Sequence, residues 1–158
     1  MTEDSSALFE AIDATWPAAR QFTAGPWVLR NGQGGGKRVS AATALQLVDP
    51  EEIALAEDQM RALAQPPLFM LRDADDALDR DLEQRGYKIV DPVVVRTCPI
   101  TRLTDQPVPP VTTFVIWEPL AIMVEMWAAG GIGPARLEVM RRAKTKTAIL
   151  ARNKQKPA

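Results

Sequence analysis

The stretch Asn31-Gly32-Gln33-Gly34-Gly35-Gly36-Lys37-Arg38 holds the densest set of groups suited to gripping a ligand in this 158-residue chain. Glycines let backbone approach a ligand closely. Arg30, Lys37 and Arg38 offer positive charge to an acidic or carboxylate-bearing compound, and Ser40 adds a neutral hydrogen bond. A phosphate loop of the form G-x-x-x-x-G-K-[ST] needs glycine at 31 and a hydroxyl at 38. The chain has Asn31 and Arg38 there, so the magnesium-binding hydroxyl is missing. A dinucleotide G-x-G-x-x-G also fails, because counting from Gly32 puts Lys37 in the last place. Two readings remain, a flexible hairpin turn and a binding loop.

Three other groups invite chemistry. Gly130-Gly131-Ile132-Gly133 separates two expected helices, and its amides would cradle an anion at the second helix's start, although Pro134 removes one donor. A plain helix–helix turn is the alternative. Trp117 beside Glu118 would give a pocket a wall and an acceptor for an amine. A packed indole with a helix-capping carboxylate is the alternative. Glu125 follows Glu118 by seven positions, a spacing that solvated helix faces also show. Cys98 has no basic neighbour in sequence and reads as a buried structural thiol.

Composition removes whole classes of mechanism. The chain has no histidine, which excludes histidine triads, histidine metal ligands and histidine acid–base catalysis. One cysteine excludes an internal disulfide and, with no histidine, argues against zinc. A net charge of −1 gives no reason to expect nucleic acid or an anionic membrane as partner. The basic run Lys144, Lys146, Arg152, Lys154 and Lys156 reads as a solvated strand end. The start, Met1 to Asp4, is unlike a signal peptide, and no apolar run is long enough to span a bilayer. A cytoplasmic protein is expected.

The elements that must position these groups follow from periodicity. Residues 5–16 form a helical stripe of Leu8, Phe9, Ile12 and Trp16, with Ser5 or Ser6 as cap and Pro17 as its limit. Residues 25–31 and 37–43 read as two strands of one hairpin around the glycine turn. Residues 50–64 form a helix with Pro50 at its start and Ile53, Ala56, Met60 and Leu63 on one face. Leu68 to Leu71 reads as a short buried strand. A helix opened by Asp73 or Asp75 carries Leu78 and Leu82 and ends at Gly86. Tyr87 to Ile100, rich in valine, reads as a long strand with Pro92 at an edge or bulge. Prolines 107, 109 and 110 mark a linker over 101–113. Phe114 to Trp117 reads as a strand. A helix from Pro119 carries Leu120, Met123, Val124 and Trp127. One from Pro134 turns Leu137 and Met140 inward and Arg141 and Arg142 outward. Thr145 to Ala151 reads as a last strand. The fold class is α/β in the α+β sense, a mixed, largely antiparallel sheet flanked by helices.

Several of these units resemble acetyltransferases of the GNAT superfamily. Trp27-Val28-Leu29-Arg30 with Gly36-Lys37-Arg38-Val39-Ser40-Ala41 is similar to their first hairpin, and Leu82-Glu83-Gln84-Arg85-Gly86-Tyr87-Lys88-Ile89-Val90 to their helix–Gly-aromatic–strand unit. Residues 117–140 resemble the connector helices, and 146–158 the first strand of the cofactor-binding half. The family's Q/R-x-x-G-x-G/A signature has its nearest match in Gln33-Gly34-Gly35-Gly36-Lys37-Arg38, which ends in Arg and lies in a hairpin. The resemblance therefore implies an incomplete acyl-CoA N-acyltransferase-like fold. Its parts would be an N-terminal half at 1–113, connectors at 114–143 and a first strand at 144–158. The implied activity is transfer of acetyl from acetyl-CoA, the cosubstrate, to a small-molecule amine. This segment would be inactive alone, with no cofactor contact and no metal. Its acceptor-side residues would be Arg30, Lys37, Arg38, Ser40, Trp117 and Glu118, with Glu118 a candidate base. The alternative is a non-catalytic ligand- or partner-binding module of GNAT-like fold, open to homodimer formation through a strand edge near 145–151.

Overall fold

A computed structural model describes residues 3–104, 107, 111–153 and 156–157. It shows mixed α and β structure, with five α-helices and two small antiparallel sheets among the described residues. The chain divides into two compact units. One comprises residues 1–88 and 131–145, the other 89–130 and 146–158.

The first unit is built on a strong core. Helix α1 (Glu3–Thr15) contains Ser5 and Ser6 within it, so neither caps its start. It is tied down by Asp13, which pairs with Arg30 at 2.8 Å, and by Phe9, whose ring lies 4.2 Å from the Arg72 guanidinium. Strand β1 (Arg20–Ala24) pairs with β2 (Trp27–Asn31), which pairs in turn with the two-residue β3 (Thr43–Ala44). Trp27 and Leu29 alternate onto the buried face. Helix α2 (Pro50–Ala62) lays Ile53, Ala56 and Met60 over them. The Trp27 indole N–H donates to the Glu52 carbonyl at 2.8 Å, which satisfies its one polar atom inside the core. Phe69 packs on Trp27 and Tyr87 on Phe69, with ring centroids 5.1 and 5.3 Å apart. Helix α3 (Asp76–Gln84) closes the core with Leu78 and Leu82. It ends in a Schellman pair, Tyr87 N–H to Leu82 O and Gly86 N–H to Glu83 O, which puts Gly86 at φ 87°. Helix α5 (Pro134–Arg142) buries Leu137 and Val139.

The second unit carries β4 (Thr113–Ile116), α4 (Ala121–Ala129), β5 (Ala148–Asn153) and β6 (Lys156–Pro157). β4 and β5 pair antiparallel, with Val115 opposite Ile149. One edge of β5 is thus taken by β4 over Ala148–Ala151, and β6 pairs with its last two residues.

Several sequence expectations are corrected. The long partner of β2 is β1, which periodicity did not mark, and of residues 37–43 only Thr43 is strand, as the first residue of β3. Lys37–Val39 forms a 3-10 turn, with Ser40 N–H and Ala41 N–H both donating to Lys37 O at 3.0 Å. Leu68 to Leu71 contributes only one bridge, between Phe69 and Ala42. Tyr87 to Ile100 is not a strand. Asp91 takes φ 55°, Pro92 has no donor, and no described residue pairs with the valines, which remain exposed. Arg142 does not simply point outward but reaches Gln33. Cys98 is exposed rather than buried. Lys154 and the prolines 109 and 110 lie outside the described residues.

Candidate functional site

Strand β2 runs out at Asn31, and a buried amide fixes where it goes next. Gln65, about 8% exposed, donates to Arg30 O at 2.8 Å and accepts from Gly32 N–H at 2.7 Å. The chain then turns, with Gly35 N–H donating to Gly32 O at 2.9 Å. This glycine turn lies along α5. A Cβ on Gly35 would come within 2.3 Å of Val139 Cγ2, so only glycine allows the approach. Arg142 Nη2 donates to Gln33 Oε1 at 2.9 Å and ties the turn to the far end of the same helix.

The consequence is a cleft of about 320 Å³ lined by Gly34, Gly36, Gly131, Gly133, Pro134, Ala135 and Arg136. Both glycine clusters singled out in the sequence therefore meet at one opening. Gly133 caps α5, and Arg136 stands in its first turn, its Nε 3.7 Å from where a Gly36 Cβ would lie. A helix start favours negative charge, and a cation there runs against the helix dipole. Among the described residues the lining holds one cation, Arg136, and no carboxylate, cysteine or tyrosine.

The structure sorts the expected site residues into three places. Arg30 lies inside the first unit, its side chain about 5% exposed. Nη1 donates to Ala41 O at 3.0 Å and to Thr43 Oγ1 at 2.8 Å, and Nη2 to Asp13. Its Nε has no partner among the described residues. Lys37 and Arg38 lie exposed on the 3-10 turn that leaves the cleft at Gly36, and Ser40 Oγ donates back to Gly36 O at 3.1 Å. Those three stand together beside the glycine turn. Trp117 and Glu118 belong to the second unit, just after β4, with the Lys146 ammonium 5.3 Å from the Trp117 ring centroid. Glu118 is exposed. Among the described residues no cluster of histidine, cysteine, aspartate and glutamate could hold a metal, and no helix is long and apolar enough to cross a membrane.

Sequence reasoning missed Arg136, Gln33, Gln65 and Arg142. Arg136 left one readable mark, an arginine in the first turn of a helix opened by Gly-Pro, where local rules disfavour it. The Gln33–Arg142 and Gln65–Gly32 pairs join residues distant in sequence and leave no local signal. No family model matches this chain, and no curated protein or solved structure matches it either.

Proposed function

We propose that this chain is a binding module for a small anionic compound, with the glycine-lined cleft as its site. One observation carries the reading. Two glycine clusters far apart in sequence wall a single opening with the Arg136 guanidinium beside it, a side chain for which no hydrogen bond or ion pair is found among the described residues. Lys37 and Arg38 on the adjoining turn add positive charge at its side. A carboxylate or phosphate would meet a guanidinium and a helix start together.

The test is titration of the protein with inorganic phosphate and with acetate, read on the backbone amides of Gly34, Gly36 and Ala135. Saturable shifts at these three, weakened about tenfold in Arg136→Gln, are expected from loss of one charge-assisted contact. Shifts unaltered by Arg136→Gln would sink the reading.

A second reading, acetyl transfer, draws on the first half of two GNAT-like units, the Trp27–Arg30 strand and the end of α3 with its Gly86 turn, although the strand that should follow each is absent. In that reading the cleft, with Lys37, Arg38 and Ser40, takes an acidic group of the acceptor in a cytoplasmic enzyme. Arg30 holds the hairpin from behind. In acetyl transfer the amine lone pair attacks the thioester carbon of acetyl-CoA, the CoA thiolate leaves, and the amine's proton goes to water or to the departing thiolate. Acetyl-CoA-dependent acetylation of an amine by the protein as its source produces it would support this reading. Neither product nor acetyl-CoA binding would leave the binding module alone.

A further inference from the structure

A second opening, of about 460 Å³, lies elsewhere in the first unit, lined by Glu57, Arg61, Arg85, Gly86 and Tyr87. Its chemistry differs from that of the glycine cleft. Glu57, largely buried, is the one carboxylate in the wall. It accepts from the Tyr87 hydroxyl at 2.9 Å and from Arg61 Nη2 at 3.1 Å. Arg61 Nη1 goes to Asp58 at 2.8 Å. Arg85 gives Nη2 to Pro50 O, while its Nη1 stands 4.0 Å from Glu57, too far for a hydrogen bond. Two guanidiniums thus share one lining carboxylate, and each keeps N–H donors for which no bond is found among the described residues. Burial, then the hydrogen bond to Glu57 and its charge, push the Tyr87 hydroxyl up to about 12, so it stays protonated and a donor at neutral pH. Gly86 adds open space where a side chain would otherwise stand.

We propose that this opening is a phosphate-monoester site in which Glu57 acts as a built-in competitor for Arg61 and Arg85. A phosphate group has three terminal oxygens and a charge near −2, which suits two guanidiniums converging on a cavity better than a single carboxylate does. Binding displaces Arg61 from Glu57, draws Arg85 away from its neighbourhood, and leaves the Tyr87–Glu57 bond to hold the carboxylate.

The competitor role gives the test an unusual sign. The protein is titrated with inorganic phosphate at constant ionic strength, with acetate in parallel, and the Gly86 amide and Arg85 Nε–H are followed by NMR. A saturable response with a Kd of roughly millimolar order is expected, weaker for acetate. Arg61→Gln, an exposed and structurally safe change, weakens it about tenfold, and so does Arg85→Gln. Glu57→Gln, which can still accept from Tyr87, tightens it several-fold because the competing charge is gone. The idea is overturned by the absence of a saturable response at Gly86, by acetate binding as well as phosphate, or by a response insensitive to Arg61→Gln. It is also overturned if a folded Glu57→Gln protein binds phosphate no better. The glycine cleft is read on other amides, so the two sites stand or fall separately.

Discussion

The two sheets make an instructive pair. Both have three strands, both are antiparallel, and both carry alternating apolar residues. On β2, Trp27 and Leu29 are fully buried, because α2 supplies Ile53, Ala56 and Met60 and the segment after it supplies Phe69. On β4 and β5, Val115 and Ile149 face each other across the ladder and remain 73% and 62% exposed. The strands resemble one another, and what differs is whether a helix with a matching stripe lies across them. Apolar residues stabilise through the area they remove from water, so the same residue type is worth much in one sheet and little in the other.

The largest expected effect breaks that contrast directly. Trp27→Ala should cost about 3–5 kcal/mol, the range for a buried aromatic cut to alanine, and it also orphans the Glu52 carbonyl contact. Val115→Ala should change stability by less than about 0.5 kcal/mol, as a surface substitution does. Urea midpoints followed by circular dichroism would compare them. Similar losses from the two changes would mean that the β4–β5 face is covered in solution after all.

How far the sequence shows this contrast depends on range. Helices α2 and α3 were legible because their signals are local: Pro50 and two glutamates at one start, Ile53, Ala56 and Met60 at helical spacing, and Gly86 at the other end. The valine run after Tyr87 was misread because strand propensity describes a residue that fits a pleated, half-buried surface. No such surface meets it among the described residues, and Asp91 at positive φ interrupts the run. The 37–43 segment was misread for a related reason. Alternation of Val39 and Ala41 suits a strand, yet both are buried here from a 3-10 turn and the segment leading to β3. At the candidate site, the glycine clusters were visible and their meeting was not. Arg30 was visible as a charge, but its role as a buried strut emerges only from Asp13, Ala41 and Thr43 around it.

A middle-sized effect tests whether the glycine turn is fixed by α5. Gly35→Ala places a Cβ about 2.3 Å from Val139 Cγ2 and 3.0 Å from Gly32 O. Overpacking of this kind costs roughly 1–3 kcal/mol. Val139→Ala in the same protein removes the closest atom and should return part of the loss, a coupling that a double-mutant cycle isolates. The Gly34 and Gly36 amides should shift in Gly35→Ala and recover in the double variant. Additive losses would mean that the turn does not rest on Val139.

The smallest effect is a pH dependence confined to the first unit. The Tyr87 hydroxyl is raised from 10.0 to about 12, chiefly by burial and then by Glu57. A group raised on folding contributes stability that is fully present below its unfolded value and is lost as pH climbs through its folded value. Wild-type stability should therefore fall between about pH 10 and pH 12 by more than that of Tyr87→Phe, which has no phenol to titrate there. Below pH 10 the variant should be the weaker protein by a constant amount, from loss of the hydrogen bond to Glu57. Every other titratable group is shared by the two proteins, so the difference between them belongs to the phenol. Parallel curves for the two proteins across pH 10 to 12 would show that Tyr87 is already solvated in the folded state. The pairing of its hydroxyl with Glu57 would then add nothing to the first unit's advantage over the second.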